Sequence, residues 1–246
     1  MFCFESKIRY SECDSSCRLS PEGLLNYFQD CSTFQSETIG AGFSYLMPRN
    51  LVWVLASWQI VIHRYPALME EVVVGTLPYD FKGFLGSRNF CMKTKEGEML
   101  ATANSLWTLL DFSTMKPVAP TPEHLAKYPV EPKLDMEYAG RKIVVGNHGE
   151  EREPMVVRKQ HLDSNNHVNN GQFISIASDY LPPGFDIYQI RGEYKRQAHL
   201  HDVFVPYVIT EADRIVVSLR DEKGIPYMNA EFLARKAPEE TVQTGK

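Results

Sequence analysis

Lys7–Tyr27 and Met155–Ile176 share one order of strand, polar turn and helix, and this internal duplication constrains the fold more than any other feature. Setting Asp14 over Asp163 places Ser16 over Asn165, Arg18 over His167, Leu24 over Phe173 and Leu25 over Ile174, at a constant offset of 149. Further along, Ala67, Glu71, Val72 and Val74 fall over Ala198, Asp202, Val203 and Val205 at an offset of 131. The first copy therefore holds an insertion, much of it expected within Gly40–Asn50. A chain made twice on one plan has to bury two similar helix stripes against two similar sheets.

The local signals agree with that plan. Ser20 is a good N-cap with Pro21 behind it, and Leu24, Leu25, Phe28, Cys31 and Phe34 recur near helical spacing, which predicts a helix over Pro21–Thr38. In the second copy Phe173, Ile174, Ala177, Tyr180 and Leu181 form the same stripe, ended by Pro182, Pro183 and Gly184. Asn169 with Gln172 three residues on matches a capping box. Runs rich in β-branched and aromatic residues predict strands over Leu51–His63, Glu71–Pro78, Arg88–Thr94 and Met99–Leu110. The second copy repeats them over Ile187–Tyr194, Val203–Thr210, Arg214–Arg220 and Pro226–Arg235, with hairpins at Glu96–Glu98 and Asp221–Gly224. Five prolines between Ser113 and Glu151 read as a long crossover rather than a packed element. The division expected is 1–112, a linker over 113–151, and 152–246. The fold class is α+β, with a long helix against a curved antiparallel sheet in each copy.

Composition narrows the function classes. A hydrophobic fraction of 43% supplies an ample core, and a net charge of −5 spread over both halves argues against general nucleic-acid binding. No apolar run approaches membrane-spanning length, and the amino terminus lacks the pattern of a secretion signal, so no membrane insertion is expected. The cysteines Cys3, Cys13, Cys17, Cys31 and Cys91 form an odd, irregularly spaced set, as in a reduced cytoplasmic protein. Cys13 and Cys17 lack a second ligand pair, so no metal is expected.

The chemistry concentrates in Leu162–Asn170, LDSNNHVNN, just before the second helix. Asp163, Asn165 and His167 stand at alternate positions, which in an extended segment would turn all three to one side. A carboxylate, a carboxamide and an imidazole could there polarise a carbonyl and activate water, with the amides of the helix start as oxyanion donors. Asp and Asn also crowd into turns and caps for local reasons. That reading accounts for Asn169 and leaves His167 and Asp163 unexplained.

Three stretches carry a resemblance: Arg49–Pro66, RNLVWVLASWQIVIHRYP; Ser105–Val118, SLWTLLDFSTMKPV; and the LDSNNHVNN run. Together they resemble the plant-type and bacterial acyl-ACP thioesterases. The resemblance implies a double hotdog fold and no cofactor. It implies hydrolysis of the thioester joining a fatty acyl chain to the phosphopantetheine arm of acyl carrier protein, ending elongation. By motif, Asp163, Asn165 and His167 match the family's catalytic Asp, Asn and His, and the first copy would hold the acyl tail. Phe28, Phe34, Met47, Trp53 and Trp58 are the expected lining, with Asn169 and Asn170 touching substrate at the helix start.

There is one departure. Where the plant-type family has a catalytic glutamate, followed in many members by cysteine, this chain has Gln197 and Ala198. Glutamine can orient water but cannot take its proton, which leaves Asp163 or His167 as base, or Asp163 as a nucleophile. Glu193 suits a solvated strand position as well as the site. Arg141, Lys142, Arg152, Arg158, Lys159, Lys195 and Arg196 are the basic groups available to an acidic carrier protein. The alternatives are an acyl-CoA thioesterase, an enoyl-thioester hydratase and an inactive acyl binder. Hotdog hydratases space their His one residue further from the Asn, usually with an intervening proline, and this chain does not. A tandem repeat already mimics the dimer of single hotdogs, and a further homodimer is a slight expectation.

Overall fold

In the computed structural model, residues 1–236 are described, so the last ten residues of the expected 152–246 unit lie outside the described residues. Ser20 Oγ accepts from Gly23 N at 3.0 Å, and Pro21 opens the helix α1 (Pro21–Thr38), which has the predicted ends. Strand β1 (Phe2–Lys7) precedes it. After α1 come a short α2 (Phe43–Leu46) and the strands β2 (Leu51–Ile62), β3 (Glu71–Lys82), β4 (Leu85–Thr94), β5 (Met99–Asp111) and β6 (Lys116–Pro117). The crossover holds α3 (Pro122–Leu125) and β7 (Glu150–Glu151), and the second copy continues with β8 (Met155–Val156) and α4 (Asn170–Ser178). Four strands close the described chain: β9 (Ile187–Tyr194), β10 (Val203–Thr210), β11 (Arg214–Arg220) and β12 (Pro226–Ala234).

All strands join one antiparallel sheet in the order β1-β3-β4-β5-β2-β9-β12-β11-β10-β7, with β6 beside β5 and β8 beside β10. The second copy thus repeats the first as β9-β12-β11-β10 for β2-β5-β4-β3. The copies meet at β2 and β9, in register from Ser57 opposite Glu193 to Val61 opposite Gln189. The counterpart of β1 is broken into β7 and β8 around Arg152–Pro154, where proline has no N–H to give the ladder. This is a tandem hotdog, α+β in class.

Each helix packs its stripe on the inner face of the sheet. On α1, Leu24, Leu25, Phe28 and Cys31 are buried, with Phe28 against Trp58 at 6.1 Å and Phe90 at 5.4 Å between ring centroids. Helix α4 has nine residues against eighteen in α1, so part of the insertion lies in the helix itself rather than in Gly40–Asn50 alone. Tyr180 and Leu181 sit in the turn after α4, yet stay packed on the core, which is why they extend the apolar stripe. The expected capping box does not form: Asn169 Oδ1 accepts from Gly171 N at 2.7 Å, but Gln172 reaches Glu22 Oε1 of α1 at 2.6 Å instead. Asn170 Nδ2 donates to Gln29 Oε1 at 2.7 Å, so the two helices are tied twice. Gly171 permits this approach, because a Cβ there would stand 2.7 Å from Asn26 Oδ1.

The crossover differs from its expected character. Rather than an unpacked connection, it is a strap along the outer face of the sheet, held by polar strand residues buried beneath it. Gln59 donates to Glu137 O at 2.9 Å and accepts from Ala139 N at 2.8 Å, while Asn89 Oδ1 accepts from Leu134 N at 3.0 Å and Tyr138 OH at 2.9 Å. Glu193 belongs here: it is buried, accepts from Ile143 N at 3.2 Å and lies 3.0 Å from Lys195 Nζ. Burial pushes its carboxyl up, but the Lys195 ammonium and the Ile143 amide outweigh that and hold it below the usual range. It is neither solvated nor part of the cleft described below. No helix among the described residues is long and apolar enough to cross a membrane.

Candidate active site

Leu162–Val168 is a closed turn rather than an extended run. Leu162 and Val168 form an antiparallel bridge, Asp163 N donates to His167 O at 2.8 Å, and Asn166 N donates to Asp163 O at 3.1 Å. The Asp163 carboxylate faces inward on the turn: Oδ1 accepts from Asn165 N at 2.8 Å and His167 N at 3.3 Å. Asn166 takes φ +60, a conformation asparagine tolerates better than most residues. The carboxylate outcompeted the strand geometry that alternation suggested, yet Asp163, Asn165 and His167 still reach one cleft wall. Val168 N donates to Ala198 O at 2.9 Å, which draws the segment after β9 alongside the turn. Because β9 ends at Tyr194, Gln197 stands on an exposed loop beside that wall.

The cleft has a volume of about 710 Å³ and draws its wall from both copies. The second copy supplies Asp163, Asn165, His167, Asn170 and Gln197, and the first supplies Met47, Trp53 and an apolar run on β2. Three expected lining residues lie elsewhere. Phe28 and Trp58 are buried against one another in the core, and Phe34 is 46% exposed, packed edge-on against Phe4 at 5.3 Å. The bulk that marked them fills the packing between helix and sheet and not the cavity. Asn169 is occupied as the cap of α4 and is not in the wall. Its bond also takes the Gly171 amide, one of the expected oxyanion donors.

His167 is half-buried. Burial lowers its pKa, the neighbouring His199 lowers it further with ring centroids 4.8 Å apart, and Asp163 opposes both more weakly. The imidazole is therefore neutral at pH 7 and able to accept a proton. In the part of the wall that the first copy supplies, Arg88 is buried, its guanidinium bonded to Gln35 Oε1 and, at 3.2 Å, to Thr76 Oγ1. Burial pushes its pKa down to about 10, so it stays charged at neutral pH. Arg88 and Tyr128 were not among the expected residues. The signal for Arg88 was present: it shares the inward face of β4 with Phe90 and Met92, where period-two reading leaves an arginine unexplained. Among the described residues no group of His, Cys, Asp and Glu is arranged to hold a metal ion.

The fold and this cleft define a double-hotdog protein with an Asp, Asn and His turn in the wall of the cleft. Residues 1–128 match the family model described as the acyl-ACP thioesterase N-terminal domain, and the chain belongs to that family. A chloroplastic acyl-(acyl-carrier-protein) hydrolase of Cuphea viscosissima is 26% identical over 216 residues, covering 77% of this chain and 50% of the relative. An oleoyl-acyl carrier protein thioesterase of Arabidopsis thaliana is 25% identical over 219 residues, covering 80% and 59%. The chain thus spans about half the length of the curated relatives it matches. In fold, the acyl-ACP thioesterase of Bacteroides thetaiotaomicron superposes with a TM-score of 0.87 at 20% identity, over 95% of this chain and 97% of that one. The 12:0-ACP thioesterase of Umbellularia californica gives 0.83 at 19% identity, over 95% and 96%.

Proposed function

We propose that this protein hydrolyses the thioester of a fatty acyl chain carried on acyl carrier protein, releasing the free acid and the carrier thiol. The observation that carries this reading is the single cleft that runs from the Asp163–His167 turn of one copy into the apolar interior of the other. Family membership and the named activities of the relatives support it.

In the proposed reaction the acyl tail lies along α1 and β2 and the thioester carbonyl rests at the turn. His167, neutral and half-buried, takes a proton from water as the water attacks the carbonyl carbon. The carbon–sulfur bond then breaks, and the imidazolium returns the proton to the departing thiolate. Asn165 and Gln197, both in the wall, orient the water or the carbonyl through their amides. Asp163 has its Oδ1 committed to the turn, which favours His167 over Asp163 as base. Of the expected basic set only Lys195 and Arg196 line the cleft, where they would meet an acidic carrier protein. The five free cysteines support a reducing, cytoplasmic setting.

The test is thiol release from acyl-ACPs of increasing chain length, with matched acyl-CoAs alongside. Release from acyl-ACP that depends on His167 is the expected result. Equal or better release from acyl-CoA would reassign the carrier, and binding without release from either would end the hydrolase reading.

A further inference from the structure

Helix α2 buries Tyr45 and Leu46, while Phe43 at its start and Met47 just after it are turned outward. They belong to a larger surface at one end of the first copy's sheet, where the start of β2, the end of β5 and the β3–β4 hairpin lie side by side. Leu51 pairs there with Asp111 and Leu85 with Thr108, while Phe112 N donates to Asn50 O at 2.8 Å and Leu109 N to Phe84 O at 2.9 Å. Phe84 at the hairpin tip, and Phe112 and Met115 in the β5–β6 turn, are exposed like Phe43 and Met47, all five between 42% and 58%. Single exposed apolar residues are ordinary, but three neighbouring segments that each present phenylalanine or methionine to water are not. Phe43, Met47, Phe112 and Met115 also line the cleft, so its apolar lining runs out onto this surface. Phe84 is outside the cleft wall, and holding an acyl chain does not account for it.

The charges on the same segments sort by sign. Residues 43–50, 81–85 and 111–117 carry three basic groups, Arg49, Lys82 and Lys116, and one acidic group, Asp111. The three basic residues are exposed beside Met47, Phe84 and Met115. Asp111 is turned back on the chain, its Oδ1 accepting from the Ser113 and Thr114 amides at 3.0 and 2.9 Å. Glu37 of α1 likewise accepts from the Phe43 amide at 2.7 Å. Long basic side chains around a cluster of Phe and Met fit a surface that lies on lipid headgroups: the apolar groups enter the acyl boundary while the cations stay with the phosphates. No helix or strand has to cross the bilayer for that. The cleft decides the choice of occupant, because a bilayer both meets the basic rim and takes up an acyl chain that leaves along the exposed lining.

We propose that this end of the first copy docks on the surface of an anionic lipid bilayer, and that the released fatty acid passes from the cleft into the bilayer without crossing water. The docking is independent of the hydrolase reading, and the passage of product rests on it. Two separate measurements keep the two ideas apart.

The first needs no substrate: flotation of the protein with vesicles of phosphatidylcholine alone, or mixed equally with phosphatidylglycerol. Wild type should float with the mixed vesicles, severalfold less with the neutral ones, and less again in high salt. Phe84→Ser should lower the partition coefficient by about tenfold, and Lys82→Glu should remove most of the difference between the two vesicle types. Both are exposed hairpin positions, so the variants should melt like the wild type. Tyr10→Ser, at an exposed aromatic beyond the opposite end of β3, should change nothing. No flotation with the mixed vesicles, or flotation unchanged by Phe84→Ser and Lys82→Glu together, would overturn the docking. In the absence of flotation, a loss of thiol release in Phe84→Ser would give the patch to the carrier protein, and a solution dimer that Phe84→Ser dissociates would give it to a second copy. The second measurement reads the passage of product. Mixed vesicles should raise steady-state thiol release from acyl-ACP severalfold in the wild type and not in Phe84→Ser, while the two proteins release thiol alike without vesicles. Equal stimulation of both, or of neither, would overturn the passage. If no thiol is released at all, the hydrolase reading fails and flotation still decides the docking.

Discussion

Cys13–Leu19 and Leu162–Val168 have one backbone and two chemistries. In the first, Asp14 Oδ1 accepts from Ser16 N at 2.8 Å and Arg18 N at 3.2 Å, Asp14 N donates to Arg18 O at 2.8 Å, and Cys17 takes φ 56. Every one of these features recurs 149 residues later at Asp163, Asn165, Asn166 and His167. What differs is the cargo of the turn: Ser16 becomes Asn165 and Arg18, whose Nη1 donates to Tyr65 O at 3.1 Å, becomes His167 in the cleft wall. The shared aspartate therefore serves the turn in both copies, and the imidazole and carboxamide are what the second copy adds.

That contrast is sharpest at His167. His167→Ala should lower thioester turnover by about a hundredfold or more while the melting temperature holds, since positioned proton transfer contributes factors of that size. A folded variant with near-normal turnover would remove His167 from the chemistry. Next in size is the paired test of the two aspartates. Asp14→Ala and Asp163→Ala should each destabilise by about 1 kcal/mol, the worth of a lost turn carboxylate, and only Asp163→Ala should also slow turnover. Asp163→Asn keeps an acceptor oxygen and should lose little. If instead it is as damaging as His167→Ala and melts normally, the carboxylate is the base.

Gln197→Ala should cost less activity than Asp163→Ala, because Gln197 sits on an exposed loop and orients without holding the turn. The reverse order would make it the principal water-positioning group. The acid limb of kcat/KM should have its midpoint below the ordinary histidine range, since burial and then His199 lower the His167 pKa. Activity is present above that midpoint and lost as pH falls through it and the imidazole is protonated. His199→Asn removes one of the two depressing causes and should move the limb to higher pH; an unmoved limb would deny their coupling. The smallest effect expected is salt: turnover on acyl-ACP should decline as ionic strength rises if Lys195 and Arg196 steer the carrier. A flat salt response would argue for docking without steering.

Much of the architecture was legible because local and global signals agree. Ser20 and Pro21 define the start of α1 in the sequence as in the structure, and β9, β10 and β11 have the ends that their β-branched runs indicate. The shape of the reacting turn was not legible, because alternation of polar residues reads as a strand unless the bonding of one carboxylate to two amides is known in advance. The strap misled for a related reason: its prolines announce a loop, while the residues that hold it down, Gln59 and Asn89, sit in distant strands. Phe28, Phe34 and Trp58 show the limit of bulk as a guide to a cavity, since a large side chain marks where volume is filled and not where it is left open.

The junction of β2 and β9 also governs how the molecule can be divided. With five residue pairs of ladder shared between the copies, neither half has a free edge at the joint. Cutting the strap to isolate one copy would bare a long strand rich in Val, Ile and Trp, the kind of surface that recruits another chain and aggregates. The repeat is a duplication in sequence, but it is not a pair of modules that can be borrowed singly.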